Sequence, residues 1–221
     1  MVKTRLLAAT SVAVIGCLAC SRAAADDTGI YVGVNAGKLL SSYRRTDIDG
    51  NLIGILGGSN NGAELGTSSV RKDHVAWTAD VGYMLSQNFG VEASFINLGA
   101  LKYSSYGTDL GSEYSVAFDM KTHGPALAGV AVLPMSNLWE VDAHAGAFFA
   151  KTVANYDSSL GTPGSASKSS TSLLVGAGTG FTLTSHCTLR LDYLRLESIK
   201  EGVLNGKFNV DLVTVGVAFV F

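Results

Sequence analysis

The 221-residue chain lacks any convincing apolar stripe of period 3.6, so helices have no pattern to build on. It has three cysteines, and Cys17 and Cys20 both fall at the N-terminal end. Cys187 is alone in the remainder, which leaves no internal disulfide to form. The histidines His74, His123, His144 and His186 are dispersed and make no metal-ligand spacing with Cys187. No serine motif brings a nucleophile within reach of a base, so neither catalytic residue nor cofactor is expected and the chain reads as a non-enzyme. "DIDGN" at Asp47–Asn51 lacks the remaining ligands of a calcium loop and reads as a solvated turn. The apolar stretch from Leu6 to about Cys20 is short for a spanning helix.

That stretch has the layout of a secretory signal. Lys3 and Arg5 precede it, and Ala23-Ala24-Ala25 offers a small-residue cleavage site before Asp26. A rival reading is open at Val14–Cys17, where "VIGC" looks like a relaxed lipoprotein signal with Cys17 lipidated. Cleavage near Ala25 removes Lys3, Arg5 and Arg22 from the sixteen basic residues and none of the eighteen acidic ones, leaving thirteen against eighteen. A mildly acidic domain spanning residues 26–221 gives no reason to expect nucleic acid as a partner.

Period-two alternation is present throughout this domain. Eight segments carry it: roughly 29–38, 74–85, 89–98, 115–133, 139–152, 172–183, 188–196 and 208–221. The connections alternate between long, Gly/Ser/Asn/Asp-rich stretches and tight turns at "SQN", "PMSNL" and "TSHC". This is the rhythm of an all-β, eight-stranded, antiparallel up-and-down barrel whose two rims face different media, with both termini at the short-turn rim. The stretches 39–72 and 154–171 are expected to be mobile loops.

One face of each strand is apolar: Val75, Trp77, Ala79, Val81 and Tyr83 in the second, and Trp139, Val141, Ala143, Ala145, Ala147 and Phe149 in the fifth. The other face mixes charge with glycine, which suits the crowded interior of a small barrel and not a water-facing surface. Threading the strands up and down puts Tyr83, Phe89, Trp139, Phe181, Phe219 and Phe221 near the short-turn rim and Trp77, Phe95, Phe149 and Tyr193 nearer the long-loop rim. Two aromatic belts on an apolar face are what a bilayer asks for, making membrane lipid a partner.

"GIYVGVNAG", "FGVEASFINLG", "LRLDYLRLE" and the closing "VTVGVAFVF" resemble the small outer-membrane β-barrel family of Gram-negative bacteria that includes the barrel of outer membrane protein A and the porin-family opacity-like proteins. The resemblance implies a cell outer membrane location with outer-membrane lipid as the partner, short periplasmic turns and long extracellular loops open to a host or other extracellular ligand. It also implies that Phe221 is an assembly signal read by the outer-membrane insertion machinery.

An eight-stranded interior is nearly filled by side chains. Asp80, Glu92, Lys121, Glu140, Asp142, His144, Arg190 and Asp192 are the candidates for a lumen charge network, with Arg190 suited to pair with Glu92 or Asp80. The leading expectation is a structural or surface-interaction protein with a plugged lumen. The alternative is transport of a small solute or small hydrophobic molecule through a narrow or laterally open barrel. "THGPALAG" favours the alternative, since Pro125 removes a ladder donor, either at a bulge or at a lateral opening loosely resembling that of the outer membrane protein W family.

Overall fold

A computed structural model describes residues 29–40, 64–71, 75–109, 112–159, 164–200 and 207–221. The leader-like segment 1–25, the Asp47–Asn51 turn and His74 lie outside the described residues. The elements are β1 (Ile30–Leu39), β2 (Glu64–Arg71), β3 (Ala76–Met84), β4 (Phe89–Asp109), β5 (Ser112–Pro134), β6 (Trp139–Ser158), β7 (Gly164–Thr184), β8 (Cys187–Lys200) and β9 (Lys207–Val220). All pairings are antiparallel. Sequence neighbours pair from β3 round to β9, and β9 returns to β1 with Tyr31 opposite Val220 and Leu39 opposite Leu212. Eight strands therefore close a ring, and β2 pairs outside it with the far half of β4.

Closure follows from the two-sided pattern. The residues at 31, 33, 35 on β1, 76, 78, 80 on β3 and 190, 192 on β8 are buried, and their sequence neighbours are exposed, or half-buried at Ala79. The exposed set is the apolar one: Val34, Val81, Ala145, Leu173 and Leu191 all point outward. The tight turns share a device. The Ser86 hydroxyl accepts from the backbone N–H of Asn88 (3.4 Å) and Phe89 (3.2 Å), and Ser136 accepts from Leu138 (3.3 Å) and Trp139 (3.1 Å). A serine in these two turns, and Thr184 accepting from His186 N–H at 3.4 Å in the third, thus satisfy backbone donors that the ladder leaves over.

The far rim differs from expectation. β4 to β7 run 20 to 23 residues, where a crossing strand needs about 9–11. Residues 154–158 and 164–171, expected in a loop, are paired strand, with Ala154 opposite Ala166 and Thr152 opposite Lys168. Residues 64–71 also form strand. The reason is compositional: Gly, Ser, Thr, Asn and charged residues dominate these segments, so the strands continue without an apolar–polar alternation to announce them.

A bulge separates the two halves of β4, where pairing jumps from Asn97–His123 to Ala100–Lys121. Gly99 adopts φ 76° there, and its N–H donates to Asn97 Oδ1 at 2.8 Å. That backbone region is costly for a residue with a Cβ. The bulge thus lies in the neighbour of Pro125 and not at Pro125 itself. Between β5 and β6 the register is unbroken across Gly124 and Pro125, and those two residues simply drop out of the pairing.

Ala145 is exposed on the mid-wall between Gly129 and Val175. Replacing it by arginine is expected to cost about 2–4 kcal/mol in a bilayer, measured by urea titration in vesicles. Folding of Ala145→Arg into bilayers with parental stability would reverse the face assignment.

Candidate functional site

The inward face is layered. Proceeding from the short-turn rim, β6 contributes Asp142 and His144, β8 Arg190 and Asp192, β1 Tyr31 and Asn35, β3 Asp80 and Thr78, and β4 Glu92. All of them are buried. Beyond this polar layer Ile96, Leu98, Phe148, Leu174, Leu196 and Leu212 meet in an apolar cluster filling the far half of the interior. Farther out still, the hydroxyls of Thr122 and Thr152 touch at 3.0 Å.

Arg190, 7 % exposed, is central to the polar layer. Its Nη1 is 3.5 Å from Glu92 Oε2 and 3.6 Å from Asp80 Oδ2, and its Nη2 is 3.4 Å from Asp192 Oδ1 and 3.8 Å from Asp142 Oδ1. Its guanidinium also lies 5.9 Å from the ring centroid of Tyr31. Tyr31 donates its hydroxyl to Glu92 Oε2 at 2.7 Å. Asn35 Nδ2 donates to Asp80 Oδ1 and to Thr78 Oγ1, both at 2.9 Å. His144 Nε2 is 2.6 Å from Asp142 Oδ1 and its Nδ1 faces Glu92 Oε1 at 3.8 Å, so both ring nitrogens look at carboxylates. Four carboxylates thus surround one guanidinium and one imidazole in a low-dielectric setting, where charge must be paired to be tolerated.

Glycine makes room for the cluster. A Cβ on Gly178 would collide with the carboxylates of both Asp142 and Asp192.

The donor atoms of Asp142, His144 and Asp192 lie within 4.8 Å of one another, a proximity that histidine spacing in the sequence does not reveal. Arg190 Nη2 stands among them, 3.3 Å from His144 Nε2, and supplies the local positive charge. A cavity of about 20 Å³, close to the volume of one water, touches Asn35, Asp80, His144, Asp192 and Thr214. A larger one of about 420 Å³ opens at the short-turn rim beside Tyr31, Gln87, Glu140, Thr188 and Arg190.

Of the residues marked from sequence, Asp80, Glu92, Asp142, His144, Arg190 and Asp192 come together. Glu140 sits one step nearer the rim, its carboxylate over Gly180 at the mouth of the larger cavity. Lys121 is a correction: it is exposed on the outward face, because the inward positions of β5 are the even ones, Met120 to Val130. Tyr31, Asn35 and Thr214 were missed. Their alternation with Gly33, Gly37 and Gly216 on the glycine-bearing face was the available signal.

Among the aromatics, Trp77, Tyr83, Phe89, Phe95, Trp139, Phe149, Phe181 and Tyr193 all point outward, from 39 % exposed at Phe95 to 63 % at Phe89. Trp77 and Phe95 lie 5.8 Å apart, and Trp139 stands opposite Phe181. Phe219 is half-buried opposite the buried Cys187. Phe221 is exposed, its N–H donating to Ile30 O at 2.9 Å.

The family model described as the OmpA-like transmembrane domain matches residues 24–221. The chain belongs to the OmpA-like transmembrane domain family. This places it in the Gram-negative outer membrane. A search of curated proteins returned no match. Among solved structures, this OmpA-like chain is similar in fold to Ail, the attachment invasion locus protein of Yersinia pestis, in complex with the heparin analogue sucrose octasulfate. Identity is 16 %, coverage 88 % of this chain and 97 % of that one, and the TM-score 0.44. It is also similar to Neisserial surface protein A (11 %, 89 % and 100 %, 0.46) and to the outer membrane protease OmpT from Escherichia coli (9 %, 87 % and 97 %, 0.49).

Replacing Arg190 with methionine strands several buried carboxylates and is expected to cost about 3–5 kcal/mol in equilibrium unfolding. The double change Arg190→Met with Glu92→Gln is expected to recover part of that loss. A single variant as stable as the parent would mean that the carboxylates do not depend on Arg190.

Proposed function

We propose that the protein is a surface-interaction barrel: residues 1–25 are removed as a signal, residues 26–221 form the wall, and the long hairpins meet extracellular ligands. The observation that carries this reading is the length of β4 to β7, about twice what a crossing needs. The surplus makes a sheet rising from one rim, stiffened on its inner side by the stacked rings of Tyr103 and Phe118 (5.1 Å). Its outer side offers a cleft of about 450 Å³ between Ser69, Lys102, Ser104, Asp119, Asn155 and Asp157. In this reading the long-strand rim faces outward and the short turns face the periplasm. The Arg190 cluster and the apolar cluster beyond it plug the lumen. His144, held between Asp142 and Glu92, belongs to this plug in the reading adopted here.

Transport is the second reading, favoured by the lapse in β5–β6 pairing at Gly124–Pro125 and by the cavity at the short-turn mouth. Proteoliposome uptake of a small apolar solute, blocked by occluding the lumen, would support it.

Replacing residues 103–118 and 153–168 each by a short turn tests the leading reading. The trimmed chain is expected to keep different gel mobilities in boiled and unboiled detergent, because the closed wall is untouched. Cells displaying it are expected to lose the adhesion to host cells or matrix proteins that the parent confers. Undiminished adhesion would remove the protruding sheet from the function.

Phe221 supports assembly in the same scheme, as the label by which the insertion machinery takes the last strand. Deleting it is expected to lower the amount reaching the outer membrane while purified protein still refolds in detergent. Normal cellular yield would end this assignment.

A further inference from the structure

The outward face of β4 to β7 carries a row of hydrogen-bond donors just beyond the far aromatic belt. Phe95 stands opposite Pro125, and Phe149 lies two residues from Lys151 on the same face of β6. One step outward, register sets Asn97, His123, Lys151 and Ser169 side by side. Lys121 lies one step farther, opposite Val153 and so diagonal to Lys151, at a spacing of about 7–8 Å. The His123 ring is 6.2 Å from that of Phe95, which ties the row to the belt.

The row has little to accept a hydrogen bond and much to donate. Two ammoniums, an imidazole and a hydroxyl stand together, and the Asn97 carbonyl oxygen is already taken by Gly99 N–H, leaving its amide donors. Lys121 and Lys151 meet no carboxylate among the described residues. The nearest acid along β5, Asp119, faces Lys102 at 3.9 Å. The wall on β8 and β9 behaves differently: Arg195 pairs with Glu197 at 3.0 Å and Asp211 at 3.3 Å, and Tyr193 also donates to Asp211. There the charges neutralise one another, whereas on β5 and β6 positive charge is left facing the membrane boundary. Lysine stems lie along apolar surface and lift the ammonium to headgroup height, where it attracts anionic lipid.

We propose that Lys121 and Lys151, with Asn97, His123 and Ser169 between them, bind the phosphorylated headgroup of lipid A in the outer leaflet. The site rests on the outward orientation of the long-strand rim adopted above. Two ammoniums a diagonal apart straddle one phosphate, and the neutral donors supply the remaining hydrogen bonds to its oxygens.

The test uses the full chain, purified in detergent, offered lipid A or its dephosphorylated form and examined by mass spectrometry for retained lipid. The parent is expected to retain phosphorylated lipid A in preference to the dephosphorylated form. The Lys121→Gln, Lys151→Gln double variant, whose exposed positions leave the fold intact by gel mobility, is expected to bind on the order of tenfold more weakly. Lys168→Gln, on the inward face of β7 opposite Thr152, serves as the control and is expected to match the parent. Equal retention of the two lipids by the parent, or parental retention by the double variant, would overturn the site. Adhesion by the trimmed hairpins is read separately, since trimming leaves Lys121 and Lys151 in place.

Discussion

A sheet in hydrocarbon has no water to satisfy a free edge, so each strand of the wall must find two neighbours. The pairing of β9 with β1 meets that demand, and much else follows from it. Once the ring is closed, its outer face is solvated by lipid and its inner face is a narrow tube. Aliphatic side chains and rings therefore turn outward, and the charges of the crossing segments are driven inward whether or not they have a task there. The Arg190 cluster is the outcome: groups from β1, β3, β4, β6 and β8 that are costly alone become tolerable by facing one another.

The interior is not uniform along its axis. The polar layer lies nearer the short turns, and the apolar cluster around Phe148, Leu196 and Leu212 occupies the far half. Five strands are tied electrostatically at one level and the tube is packed as an ordinary hydrophobic core at another. The two layers resist different perturbations, the first being sensitive to loss of a single charge and the second to loss of volume.

The wall was legible in sequence because a bilayer and a lumen impose opposite chemistry on alternate residues. Val75 to Tyr83 and Trp139 to Phe149 needed only that rule, and it also located Arg190, Asp192, Asp80 and Glu92 on the inner face. The rule fails wherever the two faces share a medium. Residues 154–158 and 164–171 are largely polar or small and read as loop, although they are strand. Leu196 sits inward between the charged Arg195 and Glu197, and Leu212 between Asp211 and Val213, which reverses the polarity that the rule assigns to the two faces, so the rule did not find the core within the lumen. A charge in a strand implies an inward position only within the hydrocarbon span, and Lys121 lies beyond it, on the outward face.

The bulge at Asn97–Ala100 has a consequence for how such a protein can diverge. Below it the even positions of β4 point inward (Glu92, Ile96), and above it the odd ones do (Tyr103, Ser105). With its glycine hinge it works as a phase clutch between two ladders cut from one strand. Insertions and deletions beyond the clutch can re-time the outer ladder without rotating any side chain of the crossing segment out of the lipid. The outer hairpins are therefore free to be rewritten at a pace that the wall itself cannot follow.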